Sequence, residues 1–167
     1  MYKSIANFAD SWAFEQKATM QVLQNLTNET LTLKPNENIR TIKDLAWHIA
    51  LTPLDILAEM GTPNILSEGY TPPQETTVQE ILDGYNTRAQ ATLEAVKTNY
   101  TDADLNRKIN MYGEEWTIGQ TLNMMIMHQT HHRGQLTVIM RLHGLKVTGV
   151  YGPAKEEWAA MNMEAMQ

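Results

Sequence analysis

The chain contains no cysteine, and this absence removes several kinds of chemistry at once. Disulfide bonds, thiolate zinc sites and a cysteine nucleophile are all excluded. A bound transition metal would have to be held by imidazole nitrogens and oxygen ligands. Attention therefore turns to the histidines, which are His48, His128, His131, His132 and His143.

Clustered positive charge and long apolar runs are also lacking. The 13 Lys and Arg residues are scattered and the formal net charge is -6, whereas phosphate binding needs grouped basic side chains. No apolar stretch approaches the roughly 18 residues that cross a bilayer, and the first residues lack a signal-peptide pattern. We therefore expect a soluble, cytoplasmic protein that binds neither nucleic acid nor membrane.

The length of 167 residues fits one domain, spanning residues 1–167, with a core of its own. Apolar residues recur at intervals of three or four almost throughout, which predicts amphipathic helices. The expected fold class is therefore all-α, a four-helix bundle whose simplest form has helices alternating up and down. The predicted helices cover residues 4–27, 41–60, 77–100 and 117–144, with a short last helix over 152–166.

Local signals mark where several of these helices begin or break. Pro53 falls inside the second helix and is predicted to kink or interrupt it. Residues 109–118, with a glycine-containing turn, predict a small β-ribbon or an extended loop before the fourth helix. The second, third and fourth helices each begin with a capping-box pattern. The pairs are Thr41 with Asp44, Thr77 with Glu80, and Thr117 with Gln120.

The histidines of the fourth helix differ in the direction they face. At about 100° per residue, His128 and His132 point within about 20° of the centre of its apolar face. His131 is displaced by about 80° toward the flank, which suits a neighbour supporting a ligand from behind. His143 lies about 16 Å farther along the axis than His132, too far to share its metal. Arg133 faces the opposite side on this count, as a salt-bridge or dimer-contact residue.

Two buried imidazoles without partners are costly to desolvate, and a divalent ion bound by both neutral rings removes that cost. His48, on the second helix, is the natural third ligand, with Asp44 one turn earlier to orient its ring. The helical count places His48 about 100° from the centre of its apolar face, so a hydrogen-bonded histidine at the core boundary is the alternative. For the pair His128 and His132, the alternative to metal binding is a structural or surface role. The run lacks the glutamate of the zincin pattern, which excludes that protease class.

The runs TIKDLAWHIA, WTIGQTL and HQTHHRGQL together resemble the DinB family of YfiT-like metal-dependent proteins, and the similarity covers essentially the whole chain. The resemblance implies an up-down-down-up four-helix bundle, commonly a homodimer, rather than simple alternation. It implies a three-histidine metal site that maps onto His48, His128 and His132, holding nickel, zinc or iron. Relatives with known activity include thiol-dependent S-transferases and isomerases that use bacillithiol or mycothiol.

Three neutral imidazoles leave the charge of a divalent ion uncompensated and coordination positions open. The leading hypothesis is therefore a metal-dependent enzyme linked to a stress or damage response. It would transfer a low-molecular-weight thiol such as bacillithiol to an electrophile, or hydrolyse a small substrate, with Glu114, Glu115 or His131 as candidate bases. The alternatives are a non-catalytic dimeric bundle with a structural metal or none, and a module that binds a small molecule independently of metal.

Overall fold

The computed structural model describes residues 2–67, 69 and 71–164. An antiparallel ribbon of two strands leads directly into the last long helix, as the sequence pattern predicted. The described part of the chain contains four long helices and this ribbon: α1 (Ile5–Leu23), α2 (Ile42–Glu59), α3 (Val78–Asn99), β1 (Lys108–Met111), β2 (Glu114–Thr117) and α4 (Ile118–Leu142). None of these helices is both long enough and apolar enough to span a bilayer.

Side-chain caps fix the starts of α3 and α4. Thr77 accepts a hydrogen bond from the Glu80 N–H, and the Glu80 carboxylate accepts the Thr77 N–H in return. Thr117 and Gln120 form the same reciprocal pair at α4. Because the first N–H groups of a helix lack partners within it, these boxes stabilise each start. At α2, Thr41 accepts the N–H of the third helical residue, which is the threonine half of the box.

The predicted interruption at Pro53 is wrong, because α2 continues through this residue to Glu59. Proline removes the hydrogen bond that its N–H would donate to Ile49. Nearly every residue from Leu45 to Leu57 is buried, however, so packing on several sides holds the helix together. Thr52 adds a side-chain hydrogen bond of 2.6 Å to the carbonyl of His48 in the same turn.

The predicted helix over residues 152–166 is also wrong. The described part of this segment forms turns and a short 3₁₀ helix, Ala159–Met161, while residues 165 and 166 lie outside the described residues. Polar contacts hold the segment in this shape, because the Glu157 carboxylate accepts the N–H groups of Gly149 and Ala154. The segment has no buried apolar face, and a short helix without one is not stable.

Hydrogen bonds between helices show that α1 and α3 run in opposite directions. The Trp12 indole N–H donates to the carbonyl of Ala89 at 2.9 Å. The N–H of Ile5, earlier in α1, donates to the carboxylate of Asp102, which lies beyond the end of α3. Lower numbers on α1 therefore meet higher numbers on α3, as in an antiparallel pair.

Helices α2 and α3 run in the same direction. Trp47, in the first half of α2, bonds to Thr76 just before α3, whereas Thr62 after α2 bonds to Tyr100 after α3. A parallel pair needs a connection that returns along the whole bundle, and residues 60–77 supply it.

Helices α2 and α4 are antiparallel, which completes the topology. His48 contacts His132, while Ile56, two turns later on α2, lies in the same cleft as Met124, which precedes His132 on α4. The helices therefore run up-down-down-up, as the family resemblance implied. The simple up-and-down alternation is wrong.

Helices α2 and α3 approach each other closely at Gly84. A Cβ atom at this position would lie 2.7 Å from the ring of Trp47, which is closer than van der Waals contact. The missing side chain therefore makes room for an indole that is 6% exposed. This packing fixes the part of α2 that carries His48, one residue after the tryptophan.

Candidate metal centre

The interface between α2 and α4 brings three imidazoles together. The Nε2 atom of His132 lies 3.1 Å from Nε2 of His48 and 3.1 Å from Nε2 of His128. The ring centroids of His48 and His128 are 5.1 Å apart. We call these three half-buried residues the histidine cluster. The antiparallel pairing of α2 and α4 produces this meeting, because it places the middle of one helix against the middle of the other.

The donor set of the histidine cluster fits a divalent transition metal. Neutral imidazole is a ligand that zinc, nickel and iron all accept. Two nitrogens held about 2.0–2.1 Å from a tetrahedral zinc ion lie about 3.3 Å apart, close to the separations found here. The two separations that involve His132 are therefore already close to those around a shared ion.

Gln135 fixes the form of one of these imidazoles. The Nδ1–H of His132 donates to Gln135 Oε1 at 2.8 Å, and the amide nitrogen of Gln135 donates to His131 Nε2 at 2.9 Å. An amide oxygen only accepts, so the proton of neutral His132 sits on Nδ1 and the lone pair of Nε2 faces the cluster. Histidine ligands of metals are commonly held from behind in this way.

The environment keeps the cluster uncharged at neutral pH. Burial lowers the pKa of His48 from 6.5 to about 3, with smaller contributions from neighbouring basic groups. Burial likewise lowers the pKa of His128 to about 4 and lowers the pKa of His132. Neutral rings are the form that binds a metal, so no proton has to be displaced at pH 7.

The structure places the other predicted groups at differing distances from the cluster. His131 is exposed, and it reaches His132 through Gln135 and a ring contact of 4.9 Å. Asp44 lines the same cleft as His48, and its backbone N–H donates to Thr41. His143 caps the far end of α4 and is not part of the three-residue group.

The two candidate bases on the ribbon are engaged elsewhere. Glu115 forms an ion pair of 2.6 Å with Lys108, and Glu114 accepts the indole N–H of Trp116 at 2.9 Å. Both carboxylates are exposed, and neither lines the cleft beside the histidine cluster. The structure gives neither of them a position from which to act as a base.

Arg133 is buried against α1, which the helical count, placing it opposite the apolar face, did not predict. It is 3% exposed and forms a salt bridge of 2.7 Å with Glu15 of α1. The salt-bridge role itself is confirmed. The count failed because α4 packs against both α1 and α2, which makes its buried arc wider than one apolar face. Glu15 was the missed signal, since it stands on the apolar face of α1 one turn after Trp12.

A cleft of about 630 Å³ opens beside the histidine cluster. His48 and His128 form part of its wall, with Arg40 and Asp44 as charged neighbours. Ile56, Pro72, Met124 and Tyr112 provide apolar surface. The sequence motifs did not indicate Gln135, Arg40 or Tyr112, although Gln135 stands three residues after His132, the spacing at which helical side chains meet.

The topology and the cluster define a class: a four-helix bundle with a candidate three-histidine site between its second and fourth helices. A family model described as "DinB family" matches residues 1–166, and the chain belongs to this family. The resemblance seen in the sequence motifs is therefore confirmed.

Relatives in two Bacillus species are similar to this chain in sequence or in structure. The chain is 38% identical over 165 residues to the "Uncharacterized protein YrdA" of Bacillus subtilis (strain 168), covering 99% of this chain and 98% of that protein. A solved DinB-like protein from Bacillus cereus ATCC 10987 is 37% identical, with a TM-score of 0.81 over 90% of this chain and 100% of that one. The DinB-like YjoA of Bacillus subtilis, at 19% identity and a TM-score of 0.68, covers 89% of this chain and 99% of its own and supports the fold alone.

Proposed function

We propose that the protein binds one divalent transition metal, nickel, zinc or iron, through the Nε2 atoms of His48, His128 and His132. We further propose that it is a metal-dependent enzyme acting on a small molecule. The observation that carries the proposal is the convergence of three neutral imidazole nitrogens at the wall of a cleft. Without an ion, the single Nε2 lone pair of His132 would have to serve two neighbouring nitrogens.

The number of potential metal ligands favours an enzyme over a structural metal site. In the described ranges, the group of potential ligands whose donor atoms lie within 4.8 Å of one another contains three residues, His48, His128 and His132. Structural zinc sites are closed by four protein ligands, whereas catalytic sites have three and leave a position for substrate. The cleft beside His48 and His128 gives that position access to a small molecule.

A divalent ion held by neutral ligands lowers the pKa of a water or thiol that coordinates it. The protein's own residues would hold and orient the site: Gln135 fixes the His132 ring, and Trp47 packing fixes the turn of α2 that carries His48. The reaction we propose is transfer of a low-molecular-weight thiol such as bacillithiol to an electrophile, or hydrolysis of a small substrate.

We also propose that the protein is a homodimer, as the family resemblance implies, and that it acts in the cytoplasm during a stress or damage response. One side of α4 supports the dimer, because Met127, Val138 and Leu142 are 62%, 60% and 64% exposed there. Light scattering should give twice the chain mass of 19.0 kDa. A mass of one chain at micromolar concentration would argue against it.

Metal content tests the binding step. Protein purified without an affinity tag is loaded with zinc, dialysed and measured by elemental analysis, for the wild type and for His48→Ala and His132→Ala. His143→Gln is the matched control, since it changes a histidine outside the cluster. We expect about one ion per chain in the wild type and control, and about a tenth or less in the cluster variants. Equal metal content in all four proteins would refute the site.

Turnover tests the enzymatic step. The loaded wild type is incubated with bacillithiol and a reactive aryl halide, and separately with small ester substrates. We expect product formation that falls to the uncatalysed rate after chelation and in His128→Ala, and that returns when metal is added back to the wild type. A rate that chelation leaves unchanged would contradict metal-dependent catalysis.

A further inference from the structure

We propose that the cleft beside the histidine cluster binds a small organic anion with an apolar portion. Arg40 would contact the anionic group and Tyr112 would cover the apolar portion. This inference rests on the proposed function for the reacting centre, and it adds the charge and shape of the substrate. Both residues are outside the proposed set of metal ligands.

The charge of the cleft favours an anion. Three neutral imidazoles leave both charges of a divalent ion uncompensated. Arg40 adds a third positive charge to the lining, and Asp44 removes one. The loaded cleft therefore carries an excess of positive charge, which attracts anions and disfavours cations of the same shape.

Arg40 is available to a ligand. It is exposed, and it forms no ion pair or side-chain hydrogen bond with any residue in the described ranges. Its position spans the cluster: it lines the cleft with His48 and His128, and it also lines a smaller depression with His132. A guanidinium in this place can donate two parallel hydrogen bonds to a carboxylate or a similar group.

Most of the remaining lining is apolar, and the hydroxyl of Thr52, which also lines the cleft, already donates to the carbonyl of His48. Ile56, Met124 and Pro72 line the cleft from α2, from α4 and from the connection that leads to α3. A ligand with an exclusively polar body would lose hydration against these side chains without gaining hydrogen bonds. An anion with a short hydrocarbon or aromatic part would match both the positive charge and the apolar surface of the cleft.

Tyr112 gives the second, independent observation. It is the first residue of the two-residue turn between β1 and β2, where it has φ 54° and Gly113 has φ 86°. Positive φ at both positions is the pattern of a type I′ turn, which favours Asn, Asp or Gly. A bulky side chain in this left-handed region is strained.

The strained residue is the one that the ribbon presents to the cleft. The Tyr112 side chain lines the cleft and is 59% exposed. Contacts within the protein therefore leave most of Tyr112 uncovered and do not explain a tyrosine at this position. A ligand in the cleft would cover the ring. Strain of this kind collects at binding sites, where the cost to the fold is offset by function.

The first test compares hexanoate with hexanamide, which share a chain and differ in charge. Binding is measured by NMR titration of the zinc-loaded and the metal-free protein. We expect the wild type to prefer hexanoate in the loaded form, and Arg40→Gln to reduce that preference roughly fivefold, the size of a partly exposed ion pair. Lys17→Gln is the control, because it removes the same charge from the exposed face of α1.

Measuring both forms separates this inference from the proposed function. If Arg40→Gln reduces the preference for hexanoate in the metal-free protein as well, the role of Arg40 is supported even if zinc fails to bind. An equal preference in the wild type and Arg40→Gln, in both forms, would overturn the role of Arg40. Tighter binding of hexanamide than of hexanoate by the loaded wild type would refute the proposal that the cleft prefers an anion.

The second test uses Tyr112→Asn, which supplies the residue that the turn favours. We expect two effects of opposite sign: a melting temperature higher by about 2–4 °C, and hexanoate binding weaker by roughly fivefold. Tyr112→Phe keeps both the ring and the strain, so its melting temperature and its affinity should match the wild type. Unchanged hexanoate affinity in Tyr112→Asn would show that the ring has no part in binding.

Discussion

Helix α4 presents two different polar clusters to its neighbours, one toward α1 and one toward α2. Toward α1, Arg133 donates to Glu15, to Thr19 and to the hydroxyl of Tyr151, and that hydroxyl donates to Glu15. Both charged side chains are at most 5% exposed. Each charge is therefore compensated by the protein itself.

The cluster toward α2 contains no compensation of this kind. Its three imidazoles are donors of the same type, half-buried, neutral, and directed at a common point beside an open cleft. The two clusters lie next to each other on α4, since His132 and Arg133 are consecutive. The cluster toward α1 is a completed structural contact, whereas the cluster toward α2 is the proposed metal site. Variants of the first should therefore lower stability, and variants of the second should lower metal affinity.

The largest effect is expected from Arg133→Met, which leaves the Glu15 carboxylate buried without its partner. Breaking a buried ion pair in this way costs about 3–5 kcal/mol of unfolding free energy. Urea unfolding of the metal-free protein measures the loss, and zinc affinity of the folded variant should stay within about threefold of the wild type because the cluster uses other donors.

The double variant Glu15→Gln with Arg133→Met is the matched control. It removes both charges, so most of the lost stability should return. A single variant as stable as the wild type would show that the pair contributes little. A loss of zinc binding in the folded single variant would show that the two clusters are not separate.

A smaller effect is expected from Gln135→Leu, which removes the group that holds the His132 ring. Loss of such a supporting hydrogen bond costs about 10- to 100-fold in metal affinity. Stability of the metal-free protein should change little, because Gln135 is exposed. Competition with a chromophoric chelator measures the affinity, with Gln90→Leu on α3 as the control. Equal affinities in both variants would mean that Gln135 does not orient the ligand.

The smallest effect concerns pH and the metal-free protein. The pKa values of His48 and His128, about 3 and about 4, lie below the ordinary value of 6.5. At pH values between the lowered pKa values and 6.5, the unfolded chain binds more protons than the folded chain. The contribution of these rings to stability is therefore full above pH 6.5 and falls as the pH drops. In the presence of a chelator, the wild type should lose more melting temperature from pH 7 to pH 5 than the variant His48→Gln with His128→Gln. An equal loss would contradict burial of neutral rings.

Local signals in the sequence were sufficient for the elements and for part of the site. Thr77 and Thr117 begin helices because their side chains bind N–H groups three residues away, an interaction that depends on few other residues. The inward direction of His128 and His132 followed from helical periodicity, and both rings lie in the cluster. The resemblance supplied the topology, which depends on which faces of different helices meet.

The features that sequence reasoning missed depend on contacts between distant segments. Pro53 stays helical because packing around α2 outweighs one lost hydrogen bond. Arg133 is buried because Glu15 lies opposite on another helix. Tyr112 lines the cleft because the ribbon folds beside α2 and α4, and neither its own type nor its neighbours in sequence indicate that position.

X-ray absorption spectroscopy of the zinc-loaded wild type tests the three-histidine metal site most directly, since it counts the ligands around the ion. We expect three imidazole nitrogens at about 2.0–2.1 Å and a remaining position filled by a light atom from solvent. His131→Ala should leave this count at three. A coordination sphere with fewer than three imidazoles, or one closed by a fourth side chain of the protein, would contradict an open three-histidine metal site.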